Sequence, residues 1–249
     1  MARQKGLIKV EGTLDNLTFY KTKDGHLVKT KGGVSGERIA NDATFIRTRE
    51  NNNEFATSAS SGKLLRDSLR NLAMNASDSK IVSRLTQLMT KVKNMDTTSA
   101  RGSRNVGVAI SNATAKALLK GFEFNKSALL GSILFKPYAV NTTTGVISIT
   151  GLLPANDVTI PQGATHVSLS GAYANINFAS GVSDVKLTNT QNIAINAAAS
   201  NITLTPTAVP TGTGTKLYLL KVEFFQEVNG TQYSLKNGAY NALRVIEVA

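Results

Sequence analysis

The chain has no cysteine and no tryptophan, and only two histidines, His26 and His166. Without cysteine there can be no disulfide, thiolate metal site or cysteine nucleophile. Two histidines so far apart, with no fixed carboxylate beside them, are a poor basis for a His dyad or a His-rich metal site. No apolar run approaches the roughly 20 residues that a membrane helix requires. The opening "MARQKGLIKVEG" is positively charged but lacks the apolar stretch of a secretory signal. Cytoplasmic synthesis is the expectation, and the Asn-x-Thr sequons at Asn201 and Asn229 then carry no weight. Acids are scarce after residue 126: Asp157, Asp184, Glu223, Glu227 and Glu247. Glu223 and Glu227, four apart on one strand face, are too generic a pair to indicate a glycosidase. The glycine-rich run Thr211 to Lys216 lacks the Gly-Lys-Ser/Thr ending of a phosphate loop and opens a strand. An enzyme is not expected, nor are a cofactor, a metal, a membrane or a small-molecule substrate.

What the chain does have is an uneven distribution of positive charge. Residues 1–126 carry 22 Lys and Arg against 11 Asp and Glu, a net +11, while residues 127–249 carry 6 against 5, a net +1. The division suggests a basic β-meander and helical module over 1–126 and a β-sandwich domain over 127–249. The basic part is suited to something anionic, with nucleic acid the candidate partner. Its strands read as "LIKVEGT", "LTFYKT" and "HLVKTK", joined by turns at Leu14-Asp15-Asn16 and Asp24-Gly25. A helical pattern then starts at Asp42, with Phe45, Asn52, Phe55, Ala59, Gly62, Leu65, Leu69 and Leu72 on one stripe. Weak helix formers in "ENNNEF" and at Gly62 leave room for a break. A second helix follows Ser77, burying Ile81, Leu85, Leu88 and Val92, and a short helix surrounds Ala113 to Leu119. On these helices Lys63, Arg66 and Arg70 share a face, as do Lys80, Arg84 and Lys91. If the helices form an antiparallel hairpin, the two stripes make one polyanion-binding surface beside Arg101 and Arg104. The plainer alternative is a solvated face partly paired with Asp67 and Asp78. Aromatics for base stacking are scarce here, so backbone contact without sequence reading is the expectation.

The stretch "TFYKTKDGHLVKTKGG", Thr18 to Gly33, sets Lys21, Lys23, Lys29 and Lys31 around a turn. A two-residue loop at Asp24-Gly25 pairs Lys23 with His26 and Lys21 with Val28, placing Lys21 and Lys23 with Phe19. A three-residue loop, Lys23-Asp24-Gly25, gathers Lys21, Lys29 and Lys31 with Leu17 and Leu27. The Lys-Asp-Gly order favours this second turn. The hairpin has no arginine fork and only Phe19 and Tyr20 as aromatics. It reads first as a structural ribbon that docks Phe19 or Tyr20 on the module or on a neighbouring subunit, with lysines guarding a sheet edge.

After Gly121 strand-sized runs follow at short intervals: "SILFKPY", "GVISIT", "ATHVSLSG", "ANINF", "DVKLTN", "NITLTP", "KLYLLKVEFFQEV", "TQYSLK" and "LRVIEV". Asn229-Gly230 is a hairpin turn, and Tyr218, Leu220, Val222 and Phe224 form an alternating inner face. The pattern indicates an α+β chain: an N-terminal β-meander plus helical hairpin, then an antiparallel, jelly-roll-like β-sandwich. Its Thr-, Asn- and Ala-rich surfaces are poor at repelling neighbours, and "INAAASNITLTPTAVPTGTG" reads as a contact segment or extended loop.

The segments "KGLIKVEGTLDNLTFYKTKDGHLVKTKGGVSGERI", "TRENNNEF", "ARGSRNV" and "LLKVEFFQEVNGTQYSLKNGAYNALRVIEV" resemble a family of uncharacterised Bacteroidota proteins. The resemblance spans nearly the whole chain and implies no activity, cofactor or site residue. The expectation from the residues is a structural protein that assembles with itself, most concretely a capsid or virion-like shell subunit with a nucleic-acid-facing basic module. A nucleic-acid-binding protein without a shell is the alternative, and a surface or carbohydrate-binding module the weaker one.

Overall fold

The computed structural model describes residues 2–30, 32–235 and 238–249. The chain is α+β with antiparallel sheets, arranged as two units, Met1–Arg49 and Glu50–Ala249.

In the first unit four strands, β1 (Ala2–Arg3), β2 (Gly12–Leu14), β3 (Leu17–Thr22) and β4 (Gly25–Thr30), pair in the order β1-β4-β3-β2. The strand expected over 7–13 is only Gly12–Leu14. Upstream of it the Gln4 side chain grips the Val10 backbone at 2.9 and 3.0 Å, and Lys9 Nζ donates to Gln4 O and Gly6 O at 2.7 Å. Side chains, not a neighbouring strand, satisfy that backbone. The hairpin takes neither expected register. Thr22 pairs with Gly25, Lys21 with His26 and Phe19 with Val28, so the loop is Lys23-Asp24. Thr22 is the reason: its hydroxyl accepts from Asp24 N at 3.2 Å and donates to Gly25 O at 3.1 Å, holding the turn one residue upstream. Lys21 therefore faces with Phe19, and Lys29 with Tyr20, where its Nζ lies 5.6 Å from the ring centroid. Lys31 lies outside the described residues. Helix α1 (Gly36–Asn41) follows, its first turn capped by Ser35 Oγ accepting from Arg38 N at 3.2 Å. No described residue from 2 to 49 is buried.

A 3-10 turn at Ala43–Phe45 precedes α2 (Ile46–Ser68), which runs unbroken through "ENNNEF" and Gly62. The remaining helices are α3 (Arg70–Ala73), α4 (Ile81–Lys93), α5 (Val106–Ala109), α6 (Ala113–Leu119), α7 (Leu130–Ile133) and α8 (Pro154–Asp157). The buried side of α2 is Glu54, Ser58, Ser61, Gly62 and Leu65. Asn52 and Phe55, expected on that side, are exposed. The physical reason is what each position meets: Lys93 and Arg104 close on Glu54, and where α4 crosses, a Cβ on Gly62 would stand 3.3 Å from Leu85 Cβ, so that point of the crossing takes a small residue. Along α4, Ile81, Leu85, Met89 and Val92 are buried and Leu88 is half-buried.

The strands of the second unit are β5 (Ala139–Val140), β6 (Ile147–Leu152), β7 (His166–Asn177), β8 (Val182–Leu187), β9 (Gln191–Ala194), β10 (Ser200–Leu204), β11 (Thr215–Val228), β12 (Thr231–Ser234) and β13 (Ala242–Val248). "SILFKPY" is not a strand: α7 occupies its start, and Leu134 makes only an isolated bridge to Val158. "ATHVSLSG" and "ANINF" fall in one 12-residue strand, β7. Strands β10-β6-β5 make one sheet, and β12-β11-β7-β8 the other, with β13 also on β11 and β9 also on β7.

Two cores use the two faces of β11. Tyr218, Leu220, Val222 and Phe224, as expected, face Ile147, Ile149, Ile202 and Leu204 of the smaller sheet. Leu217 and Leu219, on the opposite face, pack with Leu65, Leu69, Leu85, Met89 and Leu119 of the helices. Segments on both sides of residue 126 thus share one core.

Candidate functional site

The eight candidate cations divide evenly between ion pairs and solvent. Arg101 and Arg104 sit on the loop after α4, which is built around two carboxylates. Glu54, 2% exposed on α2, accepts from Arg104 Nε at 2.9 Å, Arg104 Nη2 at 3.0 Å and Gly102 N at 2.8 Å, and also pairs with Lys93. The Arg104 hydrogen bonds, helped by Lys93 and Gly102, outweigh burial and hold the Glu54 carboxyl at about 2. Gly102 has φ +90, and a Cβ there would lie 2.9 Å from Glu50 Cγ, so this close approach needs glycine. One turn earlier Glu50 takes Arg101 Nε at 2.7 Å. Asp96, also buried, accepts from the N–H groups of Thr98, Ser99 and Asn105 at 3.1, 2.9 and 3.1 Å. Burial opposes its charge, but these donors and the Ser99 hydroxyl keep its carboxyl well below the usual range.

Arg84 is committed as well. Its guanidinium donates to Glu123 O at 2.6 Å, Phe124 O at 2.8 Å and Asp78 Oδ2 at 2.5 Å, tying α4 to the segment that leads into the sheets. Arg66 pairs with Asp67 at 3.0 Å. Beside Arg84, burial pushes the Glu123 carboxyl up to about 7, only partly countered by Leu130 N–H and by the Arg244 and Arg84 charges.

Lys63, Arg70, Lys80 and Lys91 are exposed and make no ion pair among the described residues. They line separate depressions. Lys63 lies with Asp67 and Ser183 in one of about 430 Å³. Arg70 joins Arg66, Asp67 and Met74 in one of about 260 Å³. Lys80 and Lys91 line a groove of about 690 Å³ with Phe55 and Val82, two apolar side chains in solvent. These four cations are available to neutralise phosphate, whereas Arg84, Arg101 and Arg104 would first have to leave internal partners.

Phe19 and Tyr20 are half-buried on opposite faces of β3, Phe19 beside Val28 and Tyr20 beside Leu27. Glu50, Glu54 and Asp96 are not among the candidates that the basic stripes single out, although the sequence carries a signal for two of them. Glu50 and Glu54 are spaced for one helix face, and Arg101 and Arg104 are spaced to match them.

Comparison with protein-family models, with curated proteins and with solved structures found no match, so the function has to be read from the chain's own residues.

Proposed function

We propose that the chain is a non-enzymatic structural protein that assembles with copies of itself, most concretely as a capsid or virion-like shell. The observation that carries this reading is the sheet β1-β4-β3-β2, in which no described residue is buried. A sheet of four strands gains its stability from a covered apolar face. Here Leu14 and Leu17 are exposed, and Phe19, Tyr20, Leu27 and Val28 only half-covered. A neighbouring subunit is the cover proposed. The second support is the near-neutral composition of residues 127–249, 6 cations against 5 anions in sequence, which does little to repel a copy. The two sheets that face each other across Tyr218, Leu220, Val222 and Phe224 suit a sandwich subunit, and a jelly-roll-like form of it belongs to the proposal. The first 49 residues carry 10 Lys and Arg against 5 Asp and Glu, so the assembled face they form would attract nucleic acid.

Light scattering with absorbance at 260 and 280 nm tests the reading. A large particle of defined mass is the expected result, with nucleic acid inside it in the shell form. A concentration-independent monomer of 26.4 kDa would sink it. The second reading, nucleic-acid binding without a shell, draws on the exposed Lys63, Arg70, Lys80 and Lys91, and would appear as a small, salt-sensitive complex.

A further inference from the structure

One face of β11 changes character along its length. Leu217 and Leu219 lie in the core beneath the helices, and Lys221, Glu223, Phe225 and Glu227 continue the same face at the two-residue period of a strand. Register supplies their neighbours: Ser168 beside Glu223, His166 beside Phe225, Gln232 beside Glu227, and Asn192 beside Ser168. Strands β12, β11, β7 and β9 are successive in the sheet, so β12 and β9 would stand roughly 14 Å apart if it were flat, three spacings of about 4.8 Å. Asn192 Nδ2 nevertheless donates to Gln232 Oε1 at 2.5 Å. The sheet is therefore curled toward this face, and the Asn192–Gln232 bridge spans a polar trough.

The groups in the trough define what would bind. Lys221 Nζ is taken by Glu223 Oε2 at 2.8 Å, both side chains being largely buried. Glu223 Oε1 and, beside Phe225, Ser234 Oγ are buried and have no hydrogen-bond partner among the described residues. Glu227 Oε2 lies 3.4 Å from Gln232 Nε2 and 3.7 Å from His166 Nε2. With the lysine spent on Glu223, Glu227 leaves a surplus of negative charge, which disfavours phosphate and carboxylate ligands. No group of three or more metal-ligating side chains stands together among the described residues. The remaining fit is a neutral molecule whose groups both donate and accept hydrogen bonds, and which brings an apolar C–H face to the half-exposed Phe225 ring.

We propose that this trough binds a saccharide. Sugar hydroxyls donate to Glu227 and, deeper, to Glu223, and accept from Gln232, while a pyranose face stacks on Phe225. The site is independent of the assembly reading and needs no bond-making chemistry.

The test is calorimetric titration of the full chain with maltohexaose, cellohexaose, xylohexaose, mannohexaose and chitohexaose. At least one should bind, and Glu227→Gln and Phe225→Leu should each weaken that binding about tenfold or more, as expected for one lost charged hydrogen bond or ring contact. Circular dichroism should remain unchanged. Binding by none of the sugars, or equal binding in both variants, overturns the proposal. So does binding of spermine in place of the sugars, which would mark a merely anionic patch. If Phe225→Leu does not fold, Glu227→Gln decides alone, because it keeps the shape of a side chain that is 40% exposed.

Discussion

The two regions of sheet are both antiparallel and both alternate apolar with polar residues, yet they differ in what covers them. In β3 and β4 the alternation leaves Phe19, Tyr20, Leu27 and Val28 half-buried and no described residue of the unit fully so. In β11, residues Leu217 to Val222 are buried on both faces, even Lys221, because helices lie on one side and a second sheet on the other. Alternation therefore specifies which side chains can be buried together, and a second layer decides whether they are. Where two layers exist, charge can be buried as well, as Glu54 and Lys93 show.

The largest effect should come from that buried charge. Glu54→Ala leaves Lys93 buried without its partner and strips Arg104 and Gly102 N, so urea unfolding should show a loss of about 3–5 kcal/mol. A loss below about 1 kcal/mol would mean that water reaches this site and that the contrast between the units is smaller than drawn.

Next comes a direct comparison of the sheets. Leu220→Ala, in the two-sided core, should cost about 2–5 kcal/mol. Phe19→Ala, in the one-layer sheet, should cost the isolated monomer less than about 1 kcal/mol. The Phe19 change should instead reduce assembly, read by light scattering. Equal losses for the two variants in the monomer would show that the first unit has a cover of its own.

A smaller effect lies in pH. Glu54 is held at about 2 against 4.5, so the native state releases its proton more readily than the unfolded chain. Its contribution is present above 4.5 and is lost as pH falls toward 2. Glu123 is the opposite case: raised from 4.5 to about 7, it contributes fully below 4.5, and that contribution is lost as pH rises through 7. Chemical denaturation across pH should therefore show a maximum between the two windows. Glu123→Gln should flatten the limb toward neutrality and leave the acid limb intact. An unchanged neutral limb would remove Glu123 from the account.

The smallest expected effect is on stability in the quadruple variant Lys63→Gln, Arg70→Gln, Lys80→Gln and Lys91→Gln. Exposed cations without partners contribute within about 0.5 kcal/mol, so the melting temperature should hardly move. Binding to heparin or to nucleic acid should weaken and lose salt dependence. The companion variant Arg84→Gln, Arg104→Gln should do the reverse, losing stability first. If both variants lose binding equally at unchanged stability, the internal ion pairs open to reach phosphate.

The sequence by itself determined the local outcomes. The α+β class, the helix over 81–93, the Asn229-Gly230 hairpin and the inner face Tyr218, Leu220, Val222 and Phe224 follow from periodicity and turn chemistry, which act between near neighbours. Tertiary structure decided the rest. Phe55 fits a helical stripe as well as Glu54 does, and only Lys93, Gly102 N and Arg104, arriving from 39 to 50 residues away, give the buried side to Glu54. Arg84 and Arg104 look like members of basic stripes until Asp78, Glu54 and the carbonyls of Glu123 and Phe124 are brought to them from up to 50 residues away. The curl that joins Asn192 to Gln232 is likewise invisible along either strand. A cation's pattern in the chain records where it points on its own element. Whether it meets solvent or a carboxylate depends on which distant segment packs there, because ion pairing and burial are set by proximity in space.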